Sequence, residues 1–186
     1  MDAKRRTVLL GLAFLIFLAL SYIENTFFFS IIGDIFHNQF PAVEMFFIQV
    51  GMLFIHNVLV ISLILLGMTF YVNLVILDFF KREKYAHIVL EHPRTFALVF
   101  TIMILFLSIL RGSSLLGGIN IEDLPLILLI STPIGIVEGY GIYLTIKKTL
   151  SRAMSMKDLA YIYGIFLIAA IMEVAFINLL IRVTTG

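Results

Sequence analysis

Between Glu44 and Asp78 the chain carries no Asp, Glu, Lys or Arg, and that one charge-free run decides what it can fold into. Uncharged apolar stretches of about 18 residues or more read as membrane-spanning helices, because a helix satisfies its own backbone where water cannot. Residues 7–23 and 159–172 are equally clean. Composition agrees: hydrophobic residues make up 61% and charged residues 13%, against roughly 45–50% and about 25% in soluble domains. A soluble enzyme, a nucleic-acid reader and a secreted disulfide scaffold are excluded together. The absence of Cys also removes thiolate metal sites and a cysteine nucleophile. A net charge of +1 offers no broad electrostatic footprint for nucleic acid.

The gaps between charges predict an all-α, polytopic transmembrane bundle in one domain covering residues 1–186. Five spans are expected, at about 7–29, 45–77, 95–116, 124–146 and 159–181. The run from 45 to 77 corresponds to about 50 Å of helix, more than the hydrocarbon core of about 30 Å requires. It tilts strongly, projects past the core, or divides in two. Ahead of it, Phe27, Phe28, Phe29, Ile31, Ile32, Ile35 and Phe36 surround a polar stripe of Ser30, Asp34, His37 and Asn38. Steps of three and four predict an amphipathic helix over about 27–40, ending before Pro41 and lying in the outer headgroup region.

Orientation follows from the basic residues. Eleven of the 13 Lys and Arg fall in the N-terminus, the 78–94 connection and the 147–158 connection, all on one side of a five-span plan. The positive-inside rule then predicts a multi-pass protein of the cell membrane, N-terminus cytoplasmic and C-terminus outside. The basic start and Ala19-Leu20-Ser21 resemble a signal peptide, but the apolar run continues beyond them, so an uncleaved signal anchor is expected.

Charged and polar residues inside spans are where function is sought, because they are rare there and face the bundle interior or a wet cavity. Glu138 sits in Ser131-Thr132-Pro133-Ile134-Gly135-Ile136-Val137-Glu138-Gly139-Tyr140-Gly141, where one Pro and three Gly let a helix bend or another backbone approach. Glu173 lies in the fifth stretch; His56 and Asn57 lie in the second, with Asn73 farther along. At 1.5 Å per residue, His56 and Glu173 are expected at one level, outward of the membrane centre, and Glu138 inward of it. Each also has a structural reading, as a polar contact between helices.

Two pieces of the chain resemble the stage II sporulation protein M family. Phe54-Ile55-His56-Asn57-Val58-Leu59-Val60, followed by Leu65-Leu66-Gly67, is similar to that family's Asn-bearing helix and Gly-rich turn. Pro133-Ile134-Gly135-Ile136-Val137-Glu138 is similar to its Pro-His-Gly-Ile-x-Glu run, with Ile134 in place of His; His56 stands where a first Asn is usual. The resemblance implies a multi-helix membrane protein of the engulfment-machinery type, with Asn57, Pro133, Gly135 and Glu138 as the shared core.

No G-x-S-x-G, H-E-x-x-H or Walker A pattern occurs, and the four His have no metal-ligand spacing on one helix. No enzyme activity, cofactor or metal is expected. The leading expectation is a membrane protein that acts by assembly with itself or a membrane partner, in contact with lipids and without nucleic acid. The second is a small transporter or channel subunit using Glu138 and Glu173. The candidate site residues are Glu138, Glu173, His56, Asn57, Pro133 and Gly135.

Overall fold

The computed structural model describes the backbone of residues 3–37, 42–77, 79, 88–115 and 124–185, and the side chains of 4–23, 46–77, 79, 88–107, 132–176 and 178. Among the described residues there are helices and connections and no strand. The helices are α1 (Ala3–His37), α2 (Ala42–Ile76), α3 (Ile88–Glu91), α4 (Pro93–Leu115), α5 (Leu124–Leu150) and α6 (Met156–Thr185). Among the described residues, three contain stretches long and apolar enough to cross a membrane: Lys4–Ile23, Phe46–Ile76 and Met156–Phe176. Pro93–Leu107 is a shorter apolar helix.

The main departure from expectation is at the start. α1 continues without interruption to His37, so residues 27–37 extend the first helix and do not form a separate one over 27–40. Nothing between Ile23 and Phe36 forces a break: Pro is absent, and a single Gly33 costs a helix only about 1 kcal/mol. Residues 38–41 lie outside the described residues. α2 is one continuous helix, about 52 Å long at 1.5 Å per residue. α5 reaches Leu150 and α6 begins at Met156, both beyond the expected bounds of 124–146 and 159–181. The one-turn α3 falls in a stretch expected to be loop.

α2, α5 and α6 pack on one another, α4 lies on α5, and α1 on α2. The centre of this arrangement is a buried cluster of Ile61 and Val72 from α2, Ile142, Ile146 and Leu150 from α5, and Ile162 and Phe166 from α6, joined by Ala97 of α4. A second cluster, Val50 and Leu53 against Ala170 and Val174, continues the α2–α6 contact. The outward faces keep large apolar side chains such as Leu12, Leu15, Ile16, Ile102, Phe106 and Ile168 exposed, as lipid-facing surfaces do. Buried hydroxyls are satisfied within their own helices: Thr101 donates to the Ala97 carbonyl, Thr145 to Gly141 and Thr149 to Thr145, at 2.7–2.8 Å.

α1 and α2 interlock through a reciprocal exchange. The Phe70 ring of α2 covers Gly11 of α1, and the Phe14 ring of α1 covers Gly67 of α2. A Cβ at either glycine would meet the ring at 3.1 Å. Small residues that admit a neighbour closely are how helices associate in lipid, where apolar burial alone gives no preference. Gly67→Leu is therefore expected to weaken the bundle by about 1–3 kcal/mol in detergent unfolding titrations. Gly51→Leu, facing open space, should leave it unchanged or raise it, and equal effects at the two sites would refute the interlock.

Candidate functional site

Two polar contacts set the register of α2 against α6. Asn178 donates to Oε1 of Gln49 at 3.3 Å, and Ser62 and Tyr163 share a hydroxyl–hydroxyl bond of 3.1 Å. Counting inward from both, the helices run antiparallel with His56 opposite the Ala169–Ile171 turn, one turn or less from Glu173. α5 meets α6 antiparallel as well: Phe166 lies on Gly141, and Lys148 pairs with Asp158 at 3.1 Å.

That frame brings together three titratable side chains from three helices. By the register of these pairs Glu138 of α5 falls opposite Ile168–Ala169, so His56, Glu138 and Glu173 lie at neighbouring levels of three helices, spread over about 7 Å along the axis. All three are partly buried. His56 and Glu173 were expected at one level, and the α2–α6 register sets them about one turn apart. Asn57, beside His56, has a buried Nδ2 without a hydrogen-bond partner. An unmatched buried amide carries a desolvation penalty of about 1–3 kcal/mol, so it marks a place where a polar group is tolerated at a cost.

The other candidates stand apart. Pro133 is exposed, and Gly135 has nothing within 4 Å of where a Cβ would be. Pro133 deprives the Leu129 carbonyl of its usual partner and leaves α5 helical on both sides. Asn73 bonds to the Thr69 carbonyl of its own helix at 2.8 Å and belongs to the scaffold. Among the described residues no group of three or more His, Asp or Glu is arranged to hold a metal ion.

Sequence reasoning missed Gln49, Ser62 and Tyr163 because a single Gln, Ser or Tyr in an apolar run carries no signal until its partner is known. It also passed over the α5–α6 turn, which was legible. Ser155 and Asp158 form a capping box: the Ser155 amide donates to Asp158 Oδ2 at 3.0 Å, and the Asp158 amide to Ser155 Oγ at 3.1 Å. The end of α5 is closed by amides of Arg152 and Ala153 on the carbonyls of Thr149 and Lys148, with Arg152 in the left-handed region at φ 55°. Ser155→Ala should lower stability by about 1 kcal/mol, and Arg152→Gly should raise it by about 1 kcal/mol. Thermal unfolding in detergent reads both, and shifts of the same sign would contradict this turn.

Comparison of the chain with protein-family models, curated proteins and solved structures finds no match in any of the three.

Proposed function

We propose that this chain is a non-enzymatic, five-span protein of the cell membrane, and that His56, Glu173 and Glu138 form the proton-handling site of a small transporter or channel subunit. What supports this is the register of α2, α5 and α6, which sets three titratable residues at neighbouring levels near mid-length of their helices. Charged groups are costly in the hydrocarbon region and collect where a proton or ion passes. A neighbouring helix holding a Pro and three Gly, and a buried amide without a partner at Asn57, suit a place where contacts exchange during a cycle. The leading expectation from sequence, assembly with itself or a membrane partner, stands beside it as the second reading below.

The test is proton flux in liposomes. Vesicles holding the purified protein should dissipate an imposed pH gradient faster than protein-free vesicles. Equal rates across a range of membrane potentials would remove the transport reading.

A second reading rests on other residues. Gly135 and Gly164 face open space, and small residues on an outer face are what another helix packs against. Together with the resemblance at Asn57, Pro133, Gly135 and Glu138, this supports assembly with copies of the chain or another membrane protein, as in the stage II sporulation protein M family. Mass measurement of the intact complex after mild extraction separates the two. A stoichiometric second protein or a defined homo-oligomer supports assembly, and the single chain supports transport.

A further inference from the structure

At the end of the bundle where α5 hands over to α6, a cavity of about 180 Å³ opens between the two helices. It is lined by Tyr140, Leu144, Lys148, Asp158, Tyr161 and Ile162. Its chemistry is graded along its length. Lys148 and Asp158, paired at 3.1 Å and each about one-third exposed, stand at the mouth beside the helix ends. Leu144 and the buried Ile162 form the floor. Tyr140 and Tyr161, each about half exposed, line it from α5 and α6. Tyr140 is two turns below Lys148, about 12 Å along the axis.

We propose that this groove is a binding site for a phospholipid with a zwitterionic phosphoethanolamine headgroup. The order of groups matches such a lipid from head to tail. The Lys148 ammonium meets the phosphate, and the Asp158 carboxylate meets the primary amine. Leu144 and Ile162, about one turn in from the charged pair, meet the glycerol region, and the Tyr140 ring, a further turn along α5, lies against the start of the acyl chains.

A pair of opposite charges selects for a zwitterion. An anionic headgroup would satisfy Lys148 and leave a phosphate facing Asp158 with no amine between them. A choline headgroup carries the positive charge but has no N–H to donate to Asp158. The pair is also held in place: Asp158 is fixed by its bonds to Ser155, Oγ of which donates to Oδ2 at 2.7 Å, so its second oxygen faces Lys148 and the groove.

The experiment is native mass spectrometry of the full chain released from mixed micelles containing equal mole fractions of phosphatidylethanolamine, phosphatidylglycerol and phosphatidylcholine. Phosphatidylethanolamine should be retained about tenfold over phosphatidylcholine, the ratio that one charge-assisted hydrogen bond supports. Lys148→Met should abolish retention of phosphatidylethanolamine and phosphatidylglycerol alike. Asp158→Asn should bring phosphatidylethanolamine down to the level of phosphatidylglycerol. Because Asp158 also caps α6, Ser155→Ala serves as control: it loosens the cap, keeps both charges, and should keep the preference. Equal retention of the three lipids by the unaltered chain overturns the proposal. So does a preference for phosphatidylglycerol, or a preference for phosphatidylethanolamine that survives Lys148→Met.

Discussion

Replacing Phe166 with alanine should destabilise the bundle by about 3 kcal/mol or more, the largest effect expected of any single core substitution here. Phe166 is 3% exposed, belongs to the central cluster, and lays its ring on Gly141 of α5. In lipid the loss comes from unfilled space and forfeited dispersion contacts, since burial of apolar surface from water contributes little between helices. The reverse change is informative as well. A Cβ at Gly141 would stand 2.5 Å from the Phe166 ring, which cannot be accommodated without movement in a packed core. Gly141→Ala should therefore cost about 1–3 kcal/mol. Combined with Phe166→Leu it should cost less than the two single changes added together, because each relieves the space the other demands. Unfolding titrations with helicity as the readout check all of these. Additivity of Gly141→Ala and Phe166→Leu would mean that the ring does not press on Gly141.

Glu138→Gln and Glu173→Gln should each lower proton flux in liposomes by roughly tenfold, the effect of a barrier raised by about 1.4 kcal/mol. Gln keeps the size and a hydrogen-bonding end of the side chain, so helicity and yield should be preserved while the titrating group is lost. His56→Gln removes the third member and should reduce flux too. Asn73→Ala, a change in a residue bonded within its own helix, should leave flux unaltered. Wild-type flux in both glutamine variants would end the case for a carboxylate path. Loss of folding in both, with flux unmeasurable for that reason, would support the assembly reading, in which these carboxylates hold helices together.

Much of the architecture was legible because a membrane leaves few choices. Long charge-free runs dictate helices, but the helices continue through charges that interrupt them, α1 past Glu24 and Asp34 and α5 past Glu138 and Lys147. What could not be read was continuity: nothing in Glu24-Asn25-Thr26 says whether a helix turns along the surface or runs on, since polar residues are compatible with both. The candidate site was half legible. Glu138, Glu173 and His56 are conspicuous as ionisable groups in apolar surroundings. That they fall at neighbouring levels depends on registers set by Gln49 with Asn178, Ser62 with Tyr163, and Phe166 on Gly141, and none of these pairs is visible one residue at a time. Pro133 and Gly135 looked like parts of the site because a broken helix beside a carboxylate suggests one. In the structure they face outward, and the glycines that matter to packing are Gly139, against Leu105, and Gly141.

The exchange of Phe14 and Phe70 into Gly67 and Gly11 also bears on the order in which the protein is made. Both halves of that seam lie within the first two helices, and α1 rests on α2. The hairpin is thus complete as soon as Ile76 has left the ribosome, long before α5 and α6 exist. It can enter the bilayer as a closed unit, presenting one finished side to lipid. The other side of α2, with Ile61, Val72 and the His56–Asn57 turn, stays open for the partners still to be synthesised.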